Sequence, residues 1–142
     1  MYQITQMISE LSRSRRHYLT ERMQPYGLKG MHAMNLILIG EQPGISQDAL
    51  ARQRQTDKSN IARHVAALEE EGYITRCPCD ADKRVMKLYP TEKAMELLPV
   101  ITEILARWET QLTQEITQQE KAILLSVLQR MKQSASWWEE EN

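Results

Sequence analysis

Apolar positions along the chain fall into helical repeats separated by polar breaks, with one short interval where the period changes. Residues 2–24 carry Ile4, Met7, Ile8, Leu11, Tyr18 and Leu19 on one side, the stripe of an amphipathic helix. Pro25-Tyr26-Gly27 breaks it. A second helix is expected over residues 29–39, with Met31, Met34, Ile37 and Leu38 on its buried side and Gly40 and Pro43-Gly44 ending it. Further on, Thr91 is placed to cap a long helix to about residue 113, striped by Leu97, Leu98, Ile101, Leu105, Trp108 and Leu112. Pro99 lies inside that helix, where a missing N–H predicts a kink or a change of register. Thr117-Gln118-Gln119-Glu120 is a capping box that opens a last helix, with Ile123, Leu124, Val127, Leu128 and Met131 as its stripe and Trp137-Trp138 near its end.

The middle of the chain is organised differently. Ser46 precedes Asp48-Ala49-Leu50-Ala51 as an N-cap, and after Gln53-Arg54-Gln55 the pattern restarts, with Asp57 or Thr56 as the new cap and Gly72 at the far end. In this second helix Ile61, Val65 and Leu68 recur at i, i+4 and i+7 as a narrow apolar stripe. Ser59, Arg63 and Ala66 point away from it at 100° per residue, with Asn60 and Ala62 on the flanks. Such a face is small, polar and cationic. Small residues admit close approach to a groove, Arg offers a fork to guanine O6/N7, and Asn matches adenine N6/N7. Two helices joined by a tight turn in this way form a helix-turn-helix candidate.

The period then shortens. Residues 72–76 read as extended, residues 77–84 as a turn-rich tip, and residues 85–89 as a second strand before Pro90. A hairpin directly after a reading helix is a wing. Its tip carries Lys83 and Arg84, which suit phosphates or the negative potential of a narrow minor groove.

Leu50-Ala51, Asp57–Arg63, Leu68–Ile74, Asp82-Lys83-Arg84 and Thr91-Glu92-Lys93 fall in the order and spacing of the MarR family of bacterial transcriptional regulators, which the chain resembles over nearly its whole length. Asp82 and Arg84 match that family's Asp-x-Arg wing signature. The resemblance implies a mainly α protein with a small β-hairpin wing, a winged helix-turn-helix that binds a pseudo-palindromic duplex as a homodimer and is released by a small ligand or by oxidation. Arg54 and Thr56 depart from positions usually apolar in the family's turn, and Pro90 from a usual Leu. An Arg stem can cover apolar surface while its head stays wet, and a proline at a strand end costs one ladder donor.

The implied organisation is one domain over residues 1–142, with residues 28–91 as the winged-helix DNA-binding part and residues 1–24 and 92–142 as dimerisation helices. The terminal helices carry more apolar surface than one compact winged helix can cover, which places the dimer interface near Ile4–Leu11 and Ile123–Trp138. For DNA, Arg84 is expected in the minor groove with Asp82 holding it, although the pair also reads as a surface ion pair that stabilises a turn. Ser59, Asn60 and Arg63 are expected at base edges, and Lys58, Lys83, Arg52 and Gln47 at phosphates. The family's effector pocket lies between the reading head and the dimer helices. The resemblance places Arg16, His17, Met31, Met34 and Trp108 around it, for a small anionic or aromatic effector; the methionines also read as plain core.

Composition narrows the field. Hydrophobic residues make up 42% of 142 residues, enough for a core and too many for a disordered chain. The opening residues have no apolar signal region, and runs such as Leu36–Ile39 are far too short to span a bilayer, so a cytoplasmic protein without membrane contact is expected. Net charge is −1 and the pI about 6.3, which excludes a nonspecific polycation but not a local patch. Arg52, Arg54, Lys58, Arg63, Arg76, Lys83, Arg84 and Lys87 gather around the reading helix and wing, while acid collects at residues 139–141.

Catalysis has little support, since no phosphate loop, HExxH or nucleophile elbow is present. His17, His32 and His64 are scattered, and His64 borders the apolar stripe, where it reads as a half-buried packing residue before a base or ligand. Cys77-Pro78-Cys79 is the unusual chemistry. Cysteines one residue apart on a strand face opposite ways, and two thiolates are too few for structural zinc, so no cofactor or metal is expected. Nearby Arg76, Lys83 and Arg84 favour a thiolate, which leaves a redox-sensing regulator open beside incidental cysteines. The family's peroxide sensors carry a cysteine in the first helix, and none precedes Cys77. The reading is therefore a transcriptional repressor relieved by an effector, not an enzyme, with a winged helix for protein–protein contact as the rival.

Overall fold

The computed structural model describes residues 1–141, and it divides into two compact units, Met1–Ala106 and Arg107–Asn142. The first unit opens with α1 (Gln3–Met23), whose C-terminal end buries Leu19 and Met23 while Ile4, Met7, Ile8 and Leu11 near its start stay exposed. A 3-10 turn over Gln24–Tyr26 ends at Gly27, whose φ of +73° is the left-handed region that glycine enters without steric cost.

α2 (Gly30–Glu41) begins where the Gly30 N–H donates to Thr20 Oγ1 of α1 at 2.9 Å. The helix runs through Gly40, which the sequence marked as its stop. Gly40 is a packing notch instead, since a Cβ there would stand 2.5 Å from Leu98 Cδ1. The buried side also differs from expectation. Ala33, Asn35, Leu36 and Ile39 are wholly enclosed, whereas Met31, Met34, Ile37 and Leu38 are half-buried. A helix apolar nearly all round does not declare its inner face by hydrophobicity alone.

A two-residue strand, β1 (Ile45–Ser46), leads into α3 (Gln47–Gln53), and Ser46 Oγ caps that helix by accepting from the Ala49 N–H at 3.0 Å. Gln55 takes a left-handed φ of 51° in the turn that follows. α4 (Lys58–Glu70) starts at Asp57, whose carboxylate accepts from the Asn60 N–H at 2.7 Å, and gives way to Gly72 at φ +82°.

β2 (Ile74–Pro78) and β3 (Met86–Pro90) form the wing, and β1 adds to the far side of β3 in an antiparallel sheet of order β1-β3-β2. β1 was not anticipated. Cys77 and Pro78 belong to the strand rather than to the tip, because the ladder continues to Pro78 opposite Met86. Pro90 pairs with Ile74 at the other end, so both prolines sit where a missing donor costs least.

Thr91 ties the wing to α5 (Glu92–Leu112): its hydroxyl donates to the Gly72 carbonyl at 2.7 Å and accepts from the Ala94 N–H at 3.3 Å. Pro99 stands inside α5, which continues past it. Leu36, Ile39, Leu50, Ile61, Val65, Leu68, Ile74, Leu88 and Ile101 form the centre of the core, all fully buried. Each such side chain contributes about 1.5–3 kcal/mol relative to exposure.

In the second unit, α6 (Gln118–Ala135) opens with the anticipated capping box, Glu120 N–H to Thr117 Oγ1 at 3.1 Å and Thr117 N–H to Glu120 Oε1 at 3.0 Å. α7 (Trp137–Glu140) follows. No residue of α6 is buried, and Ile123, Leu124, Leu125, Trp137 and Trp138 are exposed. Among the described residues no helix is long and apolar enough to cross a membrane.

Candidate nucleic-acid interface

Burial of Ile61, Val65 and Leu68 fixes the rotation of α4 about its axis, and that rotation leaves Ser59, Arg63 and Ala66 exposed. Arg63 is not a loose side chain. Its Nη2 donates to Asn60 Oδ1, while Asn60 Nδ2 lies 3.2 Å from Asp57 Oδ2 and 3.4 Å from Thr56 Oγ1. The half-buried Asn60 amide is thus engaged on both sides and orients Arg63. Lys58 opens the helix with its side chain 79% exposed, 3.7 Å from the Asp48 carboxylate. Arg52 is exposed on α3.

At the wing tip, Asp82 Oδ1 accepts from both the backbone N–H and the Nε of Arg84, and Lys83 lies 3.3 Å from Asp80. Lys83 and Arg84 remain exposed. Ser46, Gln47, Asp48, Arg84, Val85 and Met86 line a groove of about 90 Å³ between the start of α3 and the wing. Gln47 Oε1 is buried without a hydrogen-bond partner among the described residues. Arg76, by contrast, is committed within the protein. Its Nε and Nη2 donate to the two Glu69 oxygens at 3.1 and 2.9 Å, a bidentate pair that lowers the Glu69 pKa and raises that of Arg76.

The family model described as MarR family matches residues 26–85, the span that holds the helix pair and nearly all of the hairpin. The chain is 32% identical over 104 residues to the uncharacterised HTH-type transcriptional regulator YybA of Bacillus subtilis, a match covering 70% of this chain and 66% of that one. It is 30% identical over 96 residues to the HTH-type transcriptional regulator BilQ of Clostridium symbiosum, covering 68% of this chain and 67% of that one. The chain belongs to the MarR family. Its fold agrees: it superposes on a crystal structure of MarR with a TM-score of 0.90 at 29% identity, over 98% of this chain and 95% of that one.

Arg54, at a turn position usually apolar in the MarR family, is accommodated by a polar chain that reaches α4. Its Nε donates to Asn35 Oδ1 at 3.0 Å, and the Asn35 amide meets His64 Nδ1 at 3.0 Å. Asn35 is wholly buried, and the His64 ring stands edge-on to His32 at 5.3 Å. His32 Nδ1 in turn accepts from the Lys29 N–H at 3.1 Å. Burial lowers the pKa of both imidazoles, reinforced for His32 by His64 and for His64 by Arg63 and Arg54. Sequence reasoning missed this chain, although a lone Asn inside the apolar run Met34–Ile39 was its visible sign.

Of the residues that the MarR resemblance assigns to an effector, Arg16, Met31 and Met34 share one cleft of about 170 Å³, together with Ser12, Arg15, Leu19, Gly30 and Arg54. His17 and Trp108 are not in its lining; His17 pairs with Glu21 at 3.4 Å on the exposed side of α1.

Cys77 and Cys79 are free thiols, the first exposed and the second half-buried. The nearby backbone N–H groups of Asp82 and Ala81 lower the Cys79 pKa, aided by Lys87. Among the described residues no cluster of His, Cys, Asp and Glu is suited to a metal ion.

Proposed function

We propose that this MarR-family regulator binds a two-fold-symmetric duplex as a homodimer, acts as a repressor, and is released by a small anionic effector. One observation carries the reading: α4 exposes a small polar face with Arg63 braced by Asn60, beside a wing whose Arg84 is braced by Asp82. Preorganised guanidiniums on a helix and on an adjacent finger match a major groove and the minor groove next to it.

In this reading residues 28–91 grip the DNA. Ser59 and Arg63 meet base edges, with Asn60 as the brace and second reader. Lys58, Lys83, Arg52 and Gln47 meet phosphates. Residues 1–24 and 92–142 supply the dimer contacts, a role supported by exposed Ile4, Met7, Ile8 and Leu11 on α1 and by Ile123, Leu124 and Leu125 on α6. Such a protein works in the cytoplasm, where the DNA is.

Selection of binding sites from random duplex DNA tests the whole reading. A symmetric consensus with half-sites one turn (~34 Å) apart is the expected result. A pool that returns unenriched sinks it. Light scattering checks the dimer separately, and a stable monomer at micromolar concentration contradicts that part.

A further inference from the structure

The Asn60 side chain lies between two groups of fixed and opposite character. Arg63, one turn further along α4, can only donate, and its Nη2 does so to Asn60 Oδ1. Asp57, one turn back, presents a carboxylate that only accepts, and Asn60 Nδ2 lies 3.2 Å from its Oδ2. The other oxygen of that carboxylate is held by the cap, where it accepts from the Asn60 backbone N–H at 2.7 Å. An amide between a pure donor and a pure acceptor has one orientation. Turned over, it would set its N–H groups against the guanidinium and its oxygen against the carboxylate.

Thr56 tightens this lock. It stands where the MarR family usually has an apolar residue, and its Oγ1 lies 3.4 Å from the same Asn60 nitrogen. Both N–H bonds of the amide thus have acceptors at the turn, and Asn60 keeps only the second lone pair of Oδ1 for an outside partner. Arg63, exposed beside it, keeps its remaining N–H groups. The flank of α4 therefore offers an acceptor and, three residues on, a set of donors. Three residues rise about 4.5 Å along a helix, a step comparable to the ~3.4 Å between base pairs.

Base edges in the major groove sort against such a pair. Guanine O6 and N7 accept from Arg63. At the adjoining base pair an amide oxygen is met by an exocyclic amine, N4 of cytosine or N6 of adenine, and repelled by guanine O6 or thymine O4. A bidentate contact with adenine needs an amide hydrogen as well, so adenine gains nothing over cytosine.

We propose that Asn60 is a specificity-determining residue that separates amino bases from keto bases beside the Arg63 guanine, and that Asp57 sets this polarity as a positioning residue that does not touch the base. The inference rests on the DNA-binding reading above and names a base pattern which that reading leaves open.

Duplexes built on the selected consensus carry each of the four bases in turn at every position of both half-sites, and their affinities are measured. Arg63→Ala marks its guanine by relaxing that position. Beside it, wild type binds adenine and cytosine alike, and tighter than guanine or thymine by about fivefold or more. Asn60→Ala levels the four bases there. Asp57→Asn retains an oxygen for the cap but turns a nitrogen towards Asn60. The Asn60 amide then turns over, Nδ2 outward, and the preference reverses to guanine and thymine. Mere loosening of the helix weakens all four bases without reversing their order.

Four bases bound equally beside the guanine by wild type overturn the inference, and so does adenine bound fivefold tighter than cytosine. An amino preference that survives in Asn60→Ala also overturns it. The same preference unchanged in Asp57→Asn overturns the role of Asp57. If Asp57→Asn fails to fold, Asp57→Ser takes its place, since serine caps a helix but leaves the Asn60 amide free to turn. It must level the preference, and a full preference retained in it overturns the role of Asp57. A selection that enriches no sequence is failure of the DNA-binding reading, and this inference falls with it. A symmetric consensus without the amino-keto step is failure of this inference alone.

Discussion

Asp82 grips Arg84 twice, by its backbone N–H at 3.1 Å and by its Nε at 3.2 Å, yet the Arg84 side chain remains 92% exposed. An ion pair this open adds little to stability. In the proposed DNA-binding reading its effect is to hold the guanidinium in place for a duplex. Arg84→Ala is expected to lose about 1–3 kcal/mol of binding. Asp82→Ala is expected to lose less, with an unchanged thermal midpoint in both variants. Filter binding or fluorescence anisotropy, paired with thermal melts, checks this; a large loss of folding stability in either variant would return the pair to a structural role.

Arg63 and Lys58 lie on the same helix and are expected to fail differently. Arg63→Ala should cost about 1–3 kcal/mol on the selected site and relax sequence preference. Lys58→Ala should weaken every duplex alike and reduce the slope of log affinity against log salt by about one. Titrations of specific and scrambled duplexes across a salt series separate the two, and equal effects on both duplexes would contradict the assignment.

Acid should destabilise the fold early. His32 and His64 have pKa values below the ordinary 6.5, because burial and the surrounding Lys29, Arg54 and Arg63 disfavour their charged forms, with Asn35 donating to His64. The unfolded chain thus takes up protons first as pH falls through 6.5, so stability present above that value declines below it. The thermal midpoint is expected to drop between about pH 7.5 and about pH 5.5, before most carboxylates titrate. His32→Phe should flatten that drop, and a midpoint level across the range would exclude the imidazole pair as its cause.

Asp57 closes the first turn of α4 with its side chain. Asp57→Ala should cost about 1 kcal/mol of stability. It also frees Asn60, so DNA affinity should fall further than stability alone accounts for. Hydrogen exchange at the Asn60 amide, 2.7 Å from the Asp57 carboxylate in the folded protein, reports the loss directly.

The parts legible in the sequence were those whose signals are local. The stripe of Ile61, Val65 and Leu68, the caps at Ser46, Asp57, Thr91 and Thr117, and the left-handed Gly72 all follow from spacing within a turn or two. What escaped depends on distant partners. β1 is two residues long and is a strand only because Ile45 meets Leu88. Gly40 resembles a helix stop until Leu98 is packed against it. Asn35 finds its partners 19 and 29 residues away, at Arg54 and His64, and no periodicity encodes that. Asn60 was assigned to a base edge from its chemistry, and its engagement with Asp57 and Arg63 became visible only in three dimensions.

Between the end of α4 at Glu70 and the start of β2 at Ile74 lie only Glu71, Gly72 and Tyr73. Leu68, Tyr73 and Ile74 are buried around that joint, and Arg76 reaches back to clamp Glu69. Rod and finger are therefore welded at the base and oriented as one body. In the proposed DNA-binding reading, a tilt of one is a tilt of the other, and the contacts of both with a duplex would be lost together.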